Sequence, residues 1–176
     1  MKELRAPLNK EDIMELTAGD EVFIQGTIYA ARDAAHKNMV QTLEKGAGLP
    51  FEINGQIIYY VGPCPAPPGK VIGSAGPTTS GRMDAYAPLL LEKGLRAMVG
   101  KGQRNQQVID AMVEYGAVYL ATIGGAGAYL ARCITAVETI AYPELGPEAL
   151  LKMEVRDFPC IVAIDARGNN IYRRDK

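Results

Sequence analysis

The run Gly76-Pro77-Thr78-Thr79-Ser80-Gly81-Arg82-Met83-Asp84 packs three hydroxyls and a guanidinium into one short stretch. It follows a predicted strand, Lys70–Ser74, and opens a predicted helix, Asp84–Lys93, whose Tyr86, Leu89 and Leu90 fall on one face before the stop at Gly94. Free backbone N–H groups and the helix dipole favour an anion at such a junction. Arg82 can grip a carboxylate through two parallel hydrogen bonds, and Thr78 and Thr79 can add donors. The lysine arrangement of a nucleotide phosphate loop is absent. Spacing alone fits a plainer alternative equally well: Thr78 or Ser80 caps the helix and Arg82 is solvated.

Two further segments carry cations where strands should end. In Tyr29-Ala30-Ala31-Arg32-Asp33-Ala34-Ala35-His36-Lys37, Arg32 stands over the end of a predicted strand, Glu21–Ala30. Asp33 reads as the N-cap of a helix that Gly46 stops, or as a group that orients Arg32. His36 lies one helical turn beyond Arg32 and can face the same place. In Val99-Gly100-Lys101-Gly102 a lysine sits between two glycines, which permit close approach of a ligand to the backbone. A capped helix with an exposed arginine, and a solvated turn lysine, remain the simpler readings of each segment by itself. If the strand ends converge, Arg32, Arg82 and Lys101 together suit a substrate with two carboxylates.

The elements that must position these residues alternate. Strands are predicted over Glu21–Ala30, Gln56–Val61, Lys70–Ser74, Ala97–Gly100, Val118–Thr122 and Cys160–Asp165. Helices are predicted from Asp33 to Gly46, over Asp84–Lys93, over Asn105–Tyr115 with a stop at Gly116, and from within Gly125–Tyr129 to about Arg132. Strands dominate the first and last thirds and the middle reads β-α-β-α-β. That order predicts an α/β fold of mixed sheet layers with helices packed on one side, rather than a simple doubly wound sheet. The stretches GPCPAPPG (Gly62–Gly69) and GPTTSG (Gly76–Gly81) must be loops. The glycine run Gly124-Gly125-Ala126-Gly127 lacks dinucleotide-loop spacing and reads as a tight turn or packing face, which excludes a Rossmann cofactor site.

Bulk properties narrow the function classes. The chain has 176 residues, enough for one domain spanning 1–176, with 48% hydrophobic and 22% charged residues. A net charge of -1 without charge blocks argues against nucleic acid and against a basic membrane patch. The N-terminus has no apolar leader and no run reaches the roughly 18 residues needed to span a bilayer, so a cytoplasmic location is expected. Cys64, Cys133 and Cys160 are far apart and His36 is the lone histidine, so a self-contained metal site and a hydrolase triad are both disfavoured.

The segments GTIYAARDAAHK, YYVGPCPAPPGKVIGSAGPTTSGRMD, Lys101-Gly102 and IGGAGAYLA, in this order, resemble the β subunit of class I, iron–sulfur-dependent fumarate hydratases. The matching C-terminal domain of single-chain enzymes and the L-tartrate dehydratase β subunit belong to the same family. The resemblance covers nearly the whole chain. It implies a swivelling β/β/α domain that docks on an α subunit carrying a [4Fe–4S] cluster, with no cofactor bound by this chain alone. It implies that Thr78 takes part in proton transfer, and that Arg32, Thr79, Arg82 and Lys101 contact the substrate carboxylates. Asp33, His36 and Gly102 fall in the matching motifs without an assigned role. The expected activity is reversible hydration of fumarate to L-malate. Alternatives are L-tartrate dehydration and a non-catalytic dicarboxylate-binding module.

Overall fold

The computed structural model describes residues 1–122 and 125–173. The chain runs through β1 (Lys2–Arg5), α1 (Lys10–Met14), β2 (Glu21–Ala30), α2 (Asp33–Glu44) and β3 (Ile57–Tyr59). After a long loop and a 3-10 turn (Ser80–Met83) come α3 (Ala87–Glu92), β4 (Ala97–Gly100), α4 (Gln106–Tyr115), β5 (Val118–Ala121) and α5 (Gly127–Arg132). The hairpin of β6 (Ile134–Ala141) and β7 (Leu150–Ile164) completes the fold. No helix among the described residues is long and apolar enough to cross a membrane.

The strands form one mixed sheet, ordered β1-β2-β3-β4-β5-β7-β6. β1, β2, β3, β4 and β5 pair in parallel with their neighbours, while β7 runs antiparallel to both β5 and β2. The β2–β7 pairing folds the sheet back on itself and closes a circuit β2–β3–β4–β5–β7. Closure needs strong local twist, and β2 supplies it at Gly26 (φ +87), where the register against β7 shifts. Gln25 and Asp157 bridge that irregularity through two hydrogen bonds of 2.5 and 2.9 Å.

Alternation along the strands builds a separate core on each face. Ile57, Tyr59, Ala97, Val99, Val118 and Leu120 point inside the closed sheet, toward Met153, Val155 and Phe158. Ile58, Tyr60, Met98 and Tyr119 point outward, where Met39 of α2, Leu90 of α3 and Met112 of α4 cover them. The larger helices therefore do share one side, as the sequence predicts, while Ile13 of α1 and Leu130 of α5 pack with the inner core.

Several elements follow their sequence signals and several depart from them. β2 and β4 occupy the predicted ranges, and α4 begins after Asn105, whose side chain accepts the Val108 N–H at 2.9 Å. Gly116 ends α4 in the left-handed region (φ +77). Lys70–Ser74 is no strand: Cys64 and Gly73–Ser74 bond each other at 2.9 and 3.1 Å, closing the proline-rich loop on itself. The helix expected from Asp84 starts only at Ala87, with Pro88 in its first turn. Asp84 is drawn instead to Arg104 and to the Asn105 N–H, at 2.7 and 2.8 Å. β1, β6 and the first half of β7 have no counterpart among the predicted strands.

Candidate carboxylate-binding site

The C-terminal ends of the parallel strands β2, β3 and β4 carry the polar residues singled out in the sequence. Just past the end of β3 stands Tyr60, whose carbonyl accepts the Thr78 N–H at 2.7 Å. Ser80 N–H donates to the Lys101 carbonyl at 2.9 Å, and Thr79 pairs with Lys101 as an isolated parallel bridge. The threonine segment is thus wedged at the carboxyl ends of β3 and β4, the edge where α/β sheets bind ligands. Gly100 makes the wedge possible, because a Cβ there would collide with Ser80 Oγ. Tyr59 adds an anchor, donating its hydroxyl to the Ala75 carbonyl at 2.5 Å.

The arginines come from either side of this wedge. Arg32 leaves the end of β2 and caps α2 in the sense of position only, with no side-chain capping bond. Its Nε lies 3.0 Å from Glu148 and 3.7 Å from Asp33. Gly62 leaves room for the arginine stem: a Cβ there would meet Arg32 Cδ at 2.6 Å. Arg82, in the 3-10 turn, donates Nε to Asp33 Oδ2 at 2.9 Å and holds Nη2 in an ion pair 2.7 Å from the same oxygen. Asp33 is therefore not the helix N-cap expected; it sits in the first turn of α2 and spends its carboxylate on Arg82. Among the described residues Lys101 makes no ion pair, and the Arg32 side chain, although paired in charge with Glu148, donates no hydrogen bond, so both keep donors for an incoming carboxylate. Glu148 and Asp33 offset two of the three positive charges, so the local excess is smaller than the sequence suggests.

His36 does not face this edge. Its ring is fully buried, edge-on to Tyr60 at 5.2 Å between centroids. Its backbone N–H and Nδ1 both lie on the Arg32 carbonyl, at 3.0 and 2.8 Å. A carbonyl only accepts, so Nδ1 carries the proton and Nε2 is left without a partner. Burial pushes the imidazole down to about 4 and keeps it neutral. His36 fixes the backbone of Arg32 from below rather than pointing at the same place.

Beneath the wedge lies a polar cluster that the sequence did not announce. Arg104 is buried and paired with Asp84 at 2.7 Å, donates to the Tyr60 hydroxyl at 3.2 Å, and lies 4.9 Å from the Tyr119 ring centroid. Burial opposes its charge, but Tyr60 and Asp84 outweigh that and hold the guanidinium protonated. The only local hint was a pair of opposite charges, Asp84 and Arg104, flanking apolar helices. Glu148 gave no signal, since nothing near it in the chain points to Arg32.

Three or more metal-ligating side chains converge nowhere among the described residues. Cys133 and Cys160 are buried in the inner core, where burial raises both thiols, and Cys64 is exposed in the proline-rich loop. These residues do not fit an iron–sulfur cluster. Of the glycine run, Ile123 and Gly124 lie outside the described residues; Gly127 packs its backbone on Ala75 and Gly76, as a packing face does.

The chain is a mixed α/β fold whose threonine segment and two arginines lie together at the ends of parallel strands. The family is set by comparison: residues 2–175 match the model described as Fumarase C-terminus, and the chain belongs to that family. It is 42% identical over 176 residues to the aerobic class I fumarate hydratase of Escherichia coli, covering 99% of this chain and 31% of that protein. To fumarate hydratase 2 of Leishmania major it is 40% identical, covering 98% of this chain and 31% of that protein. A Methanocaldococcus jannaschii protein provisionally named L(+)-tartrate dehydratase subunit beta is 41% identical, covering 94% of this chain and 88% of that protein. The chain thus spans about a third of its fumarate hydratase relatives and most of the subunit-sized one.

Proposed function

We propose that this chain is the β subunit of a two-subunit, iron–sulfur-dependent hydro-lyase that interconverts fumarate and L-malate. The supporting observation is the wedge itself: Thr78, Thr79 and Lys101 held together by backbone bonds, with Arg82 on the same turn and Arg32 across Asp33. In this reading the domain is a swivelling β/β/α unit that closes its open strand edge against an α subunit bearing the [4Fe–4S] cluster.

This chain's own residues bind and orient the diacid. Arg32, Arg82, Lys101 and Thr79 hold the carboxylates. Hydration builds negative charge on the carboxylate beside the carbon that receives the proton, and fixed cations there favour the transition state over the ground state. In this reading the Thr78 hydroxyl serves that proton transfer, supported by the backbone bond to Tyr60 that holds Thr78 beside the carboxylate contacts. A threonine hydroxyl is a very weak acid, so it needs a carboxylate from the partner. Family membership shared with a tartrate dehydratase subunit supports L-tartrate as a second substrate reading.

Substrate choice is tested by turnover of the assembled enzyme on fumarate, L-malate, L-tartrate and methyl-substituted dicarboxylates. Preference for fumarate and malate, lost together in Arg82→Ala and Lys101→Ala, is the expected result. A preference for tartrate would transfer the reading to that substrate, and indifference to both substitutions would remove the site.

A further inference from the structure

The hydroxyl of Tyr119, on β5, lies 2.8 Å from Ser80 Oγ and 2.8 Å from the Gly102 carbonyl. A phenol has one proton and a carbonyl can only accept, so Tyr119 donates to Gly102 and accepts from Ser80. Ser80 follows Thr79 in the chain and Gly102 follows Lys101, so this one oxygen joins the two loops that carry the proposed carboxylate contacts. Both Tyr119 and Ser80 are fully buried. Water therefore does not compete for the Tyr119–Ser80 half of the link, while the Gly102 half is part-buried; burial raises the phenol's pKa, which keeps its proton in place. The ring is itself fixed by Arg104, whose guanidinium lies 4.9 Å from its centroid and is held by Asp84, the last residue of the threonine motif.

Lys101 is pinned twice in consequence. Its own carbonyl receives the Ser80 N–H at 2.9 Å, and the next carbonyl receives the Tyr119 hydroxyl. Gly102 has φ +84, a conformation that a free loop is not obliged to keep. We propose that Tyr119 is a positioning residue, its hydroxyl tying Ser80 to Gly102 so that Thr78, Thr79 and Lys101 keep one spacing toward the diacid. This inference rests on the carboxylate-binding reading above.

Tyr119→Phe removes the hydroxyl and keeps the ring over Arg104. In the assembled enzyme the KM for fumarate should rise about tenfold while kcat changes less than about threefold, as expected for one lost buried hydrogen bond at a binding loop. In the chain alone, hydrogen exchange of the Ser80 amide should accelerate about tenfold, with the amides of α4 unaltered. Ser80→Ala cuts the same link from the other side, serves if Tyr119→Phe does not fold, and should add little to it in the double variant. An unchanged KM with a lowered melting temperature would reduce Tyr119 to a structural residue and overturn the proposal, and so would unchanged Ser80 exchange. Absence of dicarboxylate turnover in the unmodified assembly would instead defeat the functional reading, and the exchange measurement would then decide the link alone.

Discussion

A single oxygen of Asp33, Oδ2, accepts the Nε–H of Arg82 at 2.9 Å and lies 2.7 Å from its Nη2, across 49 residues of chain. Its other oxygen, Oδ1, is buried without a hydrogen-bond partner and lies 3.7 Å from Arg32 Nε. One carboxylate thus stands between two guanidiniums, one from the end of β2 and one from the 3-10 turn. It lowers the local positive charge and, in exchange, fixes the direction in which Arg82 points.

Asp33→Asn separates these two effects. Loss of orientation should lower kcat/KM about tenfold, although the site becomes more positive. Because Arg82 is half exposed in the pair, the stability change should stay within about 1 kcal/mol. Steady-state kinetics with a thermal melt checks both; a lower KM than the parent would mean that net charge, not direction, governs binding.

Thr78→Ala removes the hydroxyl but retains the N–H that donates to Tyr60 at 2.7 Å. The fold and the assembly should therefore survive, while kcat falls by about a hundredfold or more, the usual scale for a lost proton-transfer group. Circular dichroism and single-turnover rates give the comparison, and near-parental kcat would remove Thr78 from the chemistry.

Gly100→Ala should disturb the site through sterics alone, since its Cβ would meet Ser80 Oγ and then Tyr60 Cδ2 at 3.0 Å. A cost of about 1–3 kcal/mol in urea unfolding is expected for overpacking of this kind. Adding Ser80→Ala deletes the colliding oxygen and should recover part of that cost, giving a favourable coupling energy in the double-mutant cycle.

His36 makes stability depend on pH. Its folded pKa, about 4, lies below the ordinary imidazole value of 6.5, so the unfolded chain binds the extra proton first as pH falls. The parent should lose on the order of 3 kcal/mol between pH 6.5 and 4 through this group. Asp20 and Asp165, whose pKa values are lowered from 3.8, act below that window. Urea unfolding of His36→Gln across the same range should show a flatter dependence; an identical slope would mean that the buried imidazole is not the group responsible.

Much of this site was legible from local pattern because Arg32, Thr79, Arg82 and Lys101 each adjoin a recognisable strand end or turn. β2 and β4 were legible from β-branched and aromatic runs, and α4 from its Asn105 cap and Gly116 stop. Lys70–Ser74 misled because strand propensity needs a partner strand, and the surrounding prolines leave that segment bonded to Pro67 and Cys64 of its own loop. The first half of β7 was hidden by alternating charges (Lys152, Glu154, Arg156) and by Pro159, features that lower strand signals but are tolerated beside the irregularity at Asp157. His36 shared a motif with Arg32, yet helical spacing could not tell a ring turned toward the edge from one turned into the core. Glu148, Arg104 and Tyr119 reach the site only through the tertiary fold.

The most direct test of a shared site is turnover measured with each component separately and together. Malate–fumarate interconversion is followed anaerobically for this chain alone, for the proposed iron–sulfur α subunit alone and for the two combined. The account predicts silence from this chain alone and full activity only from the mixture. Substantial turnover by this chain alone would contradict it.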